Sequence, residues 1–377
     1  MRAVQEGRLI LTPTTVRHID LCLGCRACEA VCPSGVQYGE LLEETRDHIE
    51  SNYRRSVFQT FLRRVIIEKI FPFPRRLALA LLPVKFVRYL RLEKFLPRFA
   101  REVLSLVPEN AIGVLLPELE PAAAAVSRGR VGFVSGCVMS VLFGETNVQS
   151  VRLLNRAGYD VVTPPGQVCC GALYAHSGQL EMARDCARRN IAVFESLNVD
   201  SIIINAAGCG STLKEYHKLL EHDPVWKERA LAFSHKVKDL SEWLAKARPE
   251  GPDNPSTAKA GQKPETPRVT YHDACHLAHA QRITRPARDL IRAVAGSNFV
   301  ELPEADVCCG SAGSYNLTEA AMAERLQRRK IENILKTGAR VVVTTNPGCI
   351  LQIRAGLAKA GAGDIKVMHI ADFLAES

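Results

Sequence analysis

The sequence predicts an α/β protein made of a cysteine-rich N-terminal segment, a basic helical linker and two copies of a small parallel βαβ domain. Three observations predict it. From Val131 onward, short apolar strands alternate with helical stretches, the order that builds parallel sheets. That strand–helix plan occurs twice, with a Cys-Cys-Gly step in each copy. A separate group of cysteines precedes both copies, in "CLGCRACEAVCP" at residues 22–33.

With 377 residues, 47% hydrophobic and 24% charged, the chain can bury more than one core and is neither a disordered polymer nor a coiled coil. Its start has no apolar stretch of targeting length. The most apolar part, Leu77 to Val84, meets Lys85 and Arg88, far short of the ~20 residues a membrane span needs. A cytoplasmic protein is expected, peripheral at most on the inner face of the cell membrane. In a reducing compartment, 13 cysteines point to metal ligands or redox groups rather than disulfides.

Residues 1–50 carry the run C-x2-C-x2-C-x3-C-P. Three thiols spaced three apart can wrap one cluster, and the fourth, before proline, points elsewhere. This is the pattern of a ferredoxin-type 4Fe-4S segment. Its candidate ligands are Cys22, Cys25, Cys28 and Cys32. Zinc is the rival, but structural zinc sites use two separated pairs, and the run offers no second pair at that spacing.

Residues 51–128 read as a helical, basic linker. Phe58, Phe61, Leu62, Val65, Ile66 and Ile70 recur at helical spacing, with Arg54, Arg55, Arg63, Arg64 and Lys69 around them. From Ser51 to Pro108 there are 13 Lys/Arg against 3 Asp/Glu, a net of +10, beside +9 for the whole chain. Two readings stand: a docking surface for an acidic partner or anionic lipid, and a solvated helical linker with a packed face.

Residues 129–247 and 268–377 are copies of one plan, joined by a Pro/Gly-rich flexible linker at 248–267. Each copy opens with an apolar strand ending in a cysteine, "VGFVSGC" and "RVTYHDAC". Each then reaches a Cys-Cys-Gly, and later a strongly apolar strand ending in a lone cysteine, "SIIINAAGC" and "RVVVTTNPGC". Cys137 to Cys169 is 32 positions and Cys275 to Cys308 is 33; Cys170 to Cys209 is 39 and Cys309 to Cys349 is 40. An internal duplication explains the match. Loops that leave the carboxyl ends of parallel strands gather at one sheet edge. Cys137, Cys169, Cys170 and Cys209 can therefore converge, as can Cys275, Cys308, Cys309 and Cys349. Four thiolates are the complement of a 4Fe-4S cluster, with zinc again the alternative.

One cysteine is left over. Cys186 shares a helical face with Met182, Ala183, Ala187, Ile191 and Phe194 and reads as a core thiol. His272, His276 and His279 surround Cys275; a ligand role and an ordinary polar role both stay open. No hydrolase arrangement, phosphate-binding loop, dinucleotide fingerprint or helix-turn-helix stands out. Neither a flavin site of the chain's own nor a nucleic-acid partner is expected.

"CLGCRACEAVCPSGVQYGELL", the two Cys-Cys-Gly repeats, "AAGCGSTLKEY", "YHDACHLAHAQ", "CCGSAGSYNLT" and "TTNPGCILQI" together resemble the iron–sulfur subunit of bacterial glycolate oxidase, within the wider cysteine-rich CCG domain proteins. The likeness covers nearly the whole chain. It implies an electron-transfer subunit of an oxidoreductase. FAD would sit only on partner 2-hydroxy-acid dehydrogenase subunits oxidising glycolate or D-lactate, and electrons would pass through this chain's clusters toward a quinone or other acceptor, with contact at the membrane surface. Lactate-utilisation, anaerobic glycerol-3-phosphate dehydrogenase and heterodisulfide-reductase subunits are alternatives of the same class; a non-catalytic iron–sulfur or zinc module is the alternative of another. Two departures stand out. The heterodisulfide branch ends each repeat in C-x2-C, where this chain has Ala206 and Asn346, which disfavours disulfide chemistry. The family also carries two ferredoxin runs where this chain has one. Its segment reads as half of a two-cluster module, with the other run expected upstream of Met1 or on a neighbouring gene. Alone, the Cys22/Cys25/Cys28 cluster would lack its usual fourth ligand, and Cys32 its cluster.

Overall fold

Ile202–Ile204 and Val341–Val343 are continuous β-branched runs, the pattern of strands covered on both faces. In the computed structural model, which describes residues 1–90, 92, 113–247, 267–313 and 315–376, both are central strands with every residue buried. The first sheet contains β1 (Leu119–Glu120), β2 (Arg130–Val134), β3 (Asp160–Val162), β4 (Ser201–Ile204) and β5 (Val237–Asp239), in the order β1-β3-β2-β4-β5. The second contains β6 (Val269–Tyr271), β7 (Phe299–Val300), β8 (Val341–Thr344) and β9 (Lys366–His369), in the order β7-β6-β8-β9. Apart from β1, which pairs antiparallel with β3, all neighbours are parallel. With β1 set aside, the two orders are the same under the correspondence β2/β6, β3/β7, β4/β8 and β5/β9. The duplication read from cysteine spacing is thus a duplication of topology. The edge strands β5 and β9 are additions to that reading. Their short, mixed sequences VKD and KVMH give no apolar run to notice.

The two copies meet through equivalent elements taken crosswise. The helix Gly144–Arg156, which follows the first cysteine of copy one, packs on Ile370–Ala375, the last helix of copy two. Conversely, Leu240–Ala247 packs on Arg285–Ala295. Such reciprocity is the mark of a two-fold-like, isologous contact. Apolar residues of both sheets, among them Val131, Phe133, Val269 and Tyr271, share one buried cluster. Polar bonds cross the seam as well. His369 Nε2 lies 2.7 Å from the Asn205 carbonyl oxygen, Ala207 N donates to Thr345 O at 3.1 Å, and Thr146 Oγ1 donates to Asp372 Oδ2 at 2.8 Å.

The N-terminal segment is helical, with Pro13–Asp20 capped by the Thr12 side chain and the long helix Tyr38–Asn52 behind the cysteine run. The basic linker departs from the α-helical stripe expected of it. Val57–Phe61 is α-helical, but Leu62–Ile70 is a π-helix, closed by Phe71 N bonding to Ile66 O. The wider turn rotates the face. Ile67 becomes the fully buried residue, while Phe61 is left 59% exposed. Two of the linker's cations are also spent internally: Arg55 pairs with Asp20 and Glu50, and Arg63 with Glu50. Residues 93–112 of the linker, and 248–266 of the expected flexible connection, lie outside the described residues. Among the described residues, no helix is long and apolar enough to cross a membrane.

Candidate metal centres

Each tetrad is assembled at the carboxyl ends of its strands. Cys137 opens the helix after β2, and Cys209 and Cys349 lie in the first turns of the helices after β4 and β8. Cys275 caps the short helix His276–Ala280. The positive end of a helix favours a thiolate. The paired cysteines turn into the site at their glycine. Gly171 and Gly310 have left-handed φ values of 83° and 89°. A Cβ on Gly171 would stand 3.2 Å from Ala183 Cα, and one on Gly310 would overlap the Ala323 carbonyl oxygen.

The thiols then touch in sequence. Cys137 Sγ lies 3.5 Å from Cys169 Sγ, and Cys170 hydrogen-bonds to Cys169 and Cys209. In the second copy, Cys275 bonds to Cys308, and Cys309 to Cys308 and Cys349. Cys209 and Cys275 are half-buried; the other six are buried. Hydrogen bonds from Cys137 and Cys170 hold the Cys169 thiol well below its ordinary value. The bonds to Cys169, reinforced by burial, push Cys137 and Cys170 well up. A bound metal ion would favour the thiolate form of these ligands.

The third group sits against the second tetrad. Cys25 is within electrostatic reach of Cys275, Cys22 and Cys28, and burial pushes its thiol up. Tyr38 donates its hydroxyl to Cys22. Cys32 has different surroundings: backbone N–H groups of Val36, Ser34 and Gly35 hold its thiol below the ordinary value, a small anion-binding nest. The segment is tied to both copies. His276 Nε2 lies 3.1 Å from Gly24 O, and Arg26 bridges Glu29 at its own site and Glu215 of the first copy, the latter at 2.7 and 2.8 Å.

Comparison with known proteins follows these features. The cysteine-rich CCG domain model matches residues 131–214 and 269–354, the two tetrad-bearing stretches. A probable glycolate oxidase iron-sulfur subunit from Bacillus subtilis is 39% identical, over 100% of this chain and 86% of its own length. The chain belongs to the glycolate oxidase iron–sulfur subunit family. The Escherichia coli glycolate oxidase iron-sulfur subunit is 31% identical over 98% of this chain and 84% of its own. Lactate utilization protein A from Oceanobacillus iheyensis is 28% identical over 65% of this chain and 96% of its own.

For a member of this family, the donor sets fit the expected cofactor. They are soft thiols, six of the eight in the repeats buried, with glycine-permitted backbone at the paired cysteines. Cys186, by contrast, takes no place in the chain of thiol contacts. It packs beside Gly171, and burial pushes its thiol up to about 12. The three histidines near Cys275 separate into three roles. His272 is buried against Cys309 and Cys349, His276 reaches Gly24, and His279 Nε2 lies 3.1 Å from Asp306 O. Asn346 crosses the seam. Its Oδ1 accepts from Gly208 N at 3.3 Å while its Nδ2 lies 3.6 Å from Cys349 Sγ. The long-range contacts of Arg26 and Asn346 could not be read from the sequence, because Glu215 and Gly208 lie 189 and 138 residues away.

Proposed function

We propose that this chain is the electron-carrying subunit of a flavin-dependent 2-hydroxy-acid dehydrogenase complex, oxidising glycolate or D-lactate at an FAD site on a partner subunit. A bound iron–sulfur cluster supplies one-electron transfer. Cys137, Cys169, Cys170 and Cys209 hold one centre, and Cys275, Cys308, Cys309 and Cys349 another, each of 4Fe-4S type. Cys22, Cys25 and Cys28 hold the third, and Cys32 offers a thiolate to a second cluster of the ferredoxin type. The observation that carries the reading is the packing of the Cys25 loop on Cys275 through His276 and Gly24. It supports a continuous path from the N-terminal segment into the repeats.

The membrane side of the reading rests on the helices Pro74–Ala80 and Leu82–Tyr89. Leu77 is buried against the helix that begins at Cys137. On the outer side Leu79, Leu82, Phe86 and Tyr89 are 53–84% exposed at helical spacing, beside exposed Arg75 and Arg76. Apolar residues flanked by cations suit an anionic lipid surface. The first-copy centre lies beneath it and would hand electrons to a quinone there.

A second reading has one observation in its favour. The 3.5 Å approach of the Cys137 and Cys169 sulfurs also suits a tetrahedral zinc, whose ~2.3 Å bonds place sulfurs just under about 4 Å apart. Metal analysis of the anaerobically purified chain decides between them. Iron and sulfide with a visible chromophore, lost in part when Cys169 or Cys308 is replaced by serine, is the expected result. Zinc at stoichiometry without a chromophore overturns the redox reading.

A further inference from the structure

His272 follows β6 directly and is fully buried. Its backbone N–H bonds to Val343 O, so it continues the strand ladder and its position is fixed. Its Nδ1 lies 3.0 Å from the Ala305 carbonyl oxygen. A carbonyl only accepts, so Nδ1 carries the ring proton and Nε2 carries the lone pair. Nε2 is buried and has no hydrogen-bond partner among the described residues. A ring nitrogen of His272 and the sulfurs of Cys309 and Cys349 all lie within 4.8 Å of one another. A carbonyl that fixes the tautomer behind a free imidazole nitrogen is the usual outer support of a metal-binding histidine.

The first copy has no such group. Counting back three positions from the first cysteine of each copy, Val134 stands where His272 stands. A second difference accompanies it. Lys330 is buried, with its Nζ held by the carbonyls of Glu304 and Ala305, and it faces Cys309, Cys349 and Cys308. The matching position on the first-copy helix is Asn190, which bonds instead to Cys169 O and the Tyr216 hydroxyl.

We propose that His272 Nε2 is a ligand of the second-copy centre, beside Cys309 and Cys349, and that this centre has a higher reduction potential than the first-copy one. The proposal rests on the reading that the repeats hold iron–sulfur centres. Five donors are one more than a 4Fe-4S cluster takes, so His272 binding leaves one of the four second-copy thiols off the cluster, and a neutral imidazole in place of that thiolate leaves the centre less negative, which favours the reduced state. The Lys330 ammonium acts in the same direction. The duplicated sites are then an unequal pair, with electrons resting on the second copy, whose Cys275 lies beside Cys25.

The test uses the full chain, reconstituted anaerobically and reduced, with ordinary and 15N-labelled histidine. Pulsed EPR is expected to detect a strongly coupled histidine nitrogen that changes isotope with the label and is lost in His272→Cys. Potentiometric titration of His272→Cys is expected to show one midpoint lowered with iron content kept, and Lys330→Met to lower the same midpoint while keeping the nitrogen signal. The labelling measurement stands even if His272→Cys fails to fold. Iron–sulfur centres in both copies with no histidine nitrogen coupling overturn the ligand assignment alone. A second copy that takes up no iron overturns the proposed function and this assignment with it.

Discussion

His276 Nε2 lies 3.1 Å from the carbonyl oxygen of Gly24, so the residue after Cys275 is joined to the residue before Cys25. The ring also stands edge-on to His176, with centroids 4.9 Å apart. Replacing His276 by phenylalanine keeps a ring there and removes the bond. Iron content is expected to hold, while stopped-flow spectra show slower electron exchange between the N-terminal and second-copy centres. An unchanged exchange rate removes this bond from the path.

Arg26 is 8% exposed and answers two carboxylates, Glu29 and Glu215. Removing one member of a buried ionic group strands the others, at a cost of about 3–5 kcal/mol. Arg26→Ala is expected to loosen the N-terminal segment specifically. Limited proteolysis checks it, with cleavage appearing between residues 20 and 40 while the repeats stay intact.

Gly310 and Gly171 hold left-handed turns against Ala323 and Ala183. Gly310→Ala adds a methyl group where a carbonyl oxygen already stands and is expected to cost about 1–3 kcal/mol. Gly171→Ala meets looser contacts, so it costs less, about 1 kcal/mol, mainly from backbone strain. Chemical denaturation with iron quantification gives both numbers, and the iron lost is expected to be that of the substituted copy.

Leu79→Glu and Phe86→Glu test the proposed lipid-facing stripe. Burying one such side chain contributes about 1.5–3 kcal/mol, so each change is expected to weaken binding to anionic vesicles by about tenfold or more. Iron content stays constant. Equal sedimentation of wild type and variants with these vesicles dismisses the stripe as a membrane contact.

The tetrads were legible in the sequence because duplication writes the same spacing twice, and because β-branched runs such as Ile202–Ile204 declare buried strands. The roles of single polar residues were not. His272 owes its free nitrogen to a carbonyl 33 residues away, and Asn346 owes its place to the other copy. Such contacts are fixed by how loops and copies pack in three dimensions, which no local pattern encodes. The π-turn at Leu62–Ile70 defeated periodicity for a related reason: a stripe read at 3.6 residues per turn goes out of phase when the turn widens.

The crosswise helix contacts between the copies are those of a dimer whose subunits have become one polypeptide. A dimer of identical halves obeys its symmetry: any residue gained at one site appears at both. Joined in a single chain, the halves are released from that rule. Val134 can stay apolar while its counterpart is His272, and Ala206 can stay small while its counterpart, Asn346, bonds to Gly208. Fusion thus changed what selection could act on, from one site used twice to two sites that can be set apart in charge and potential.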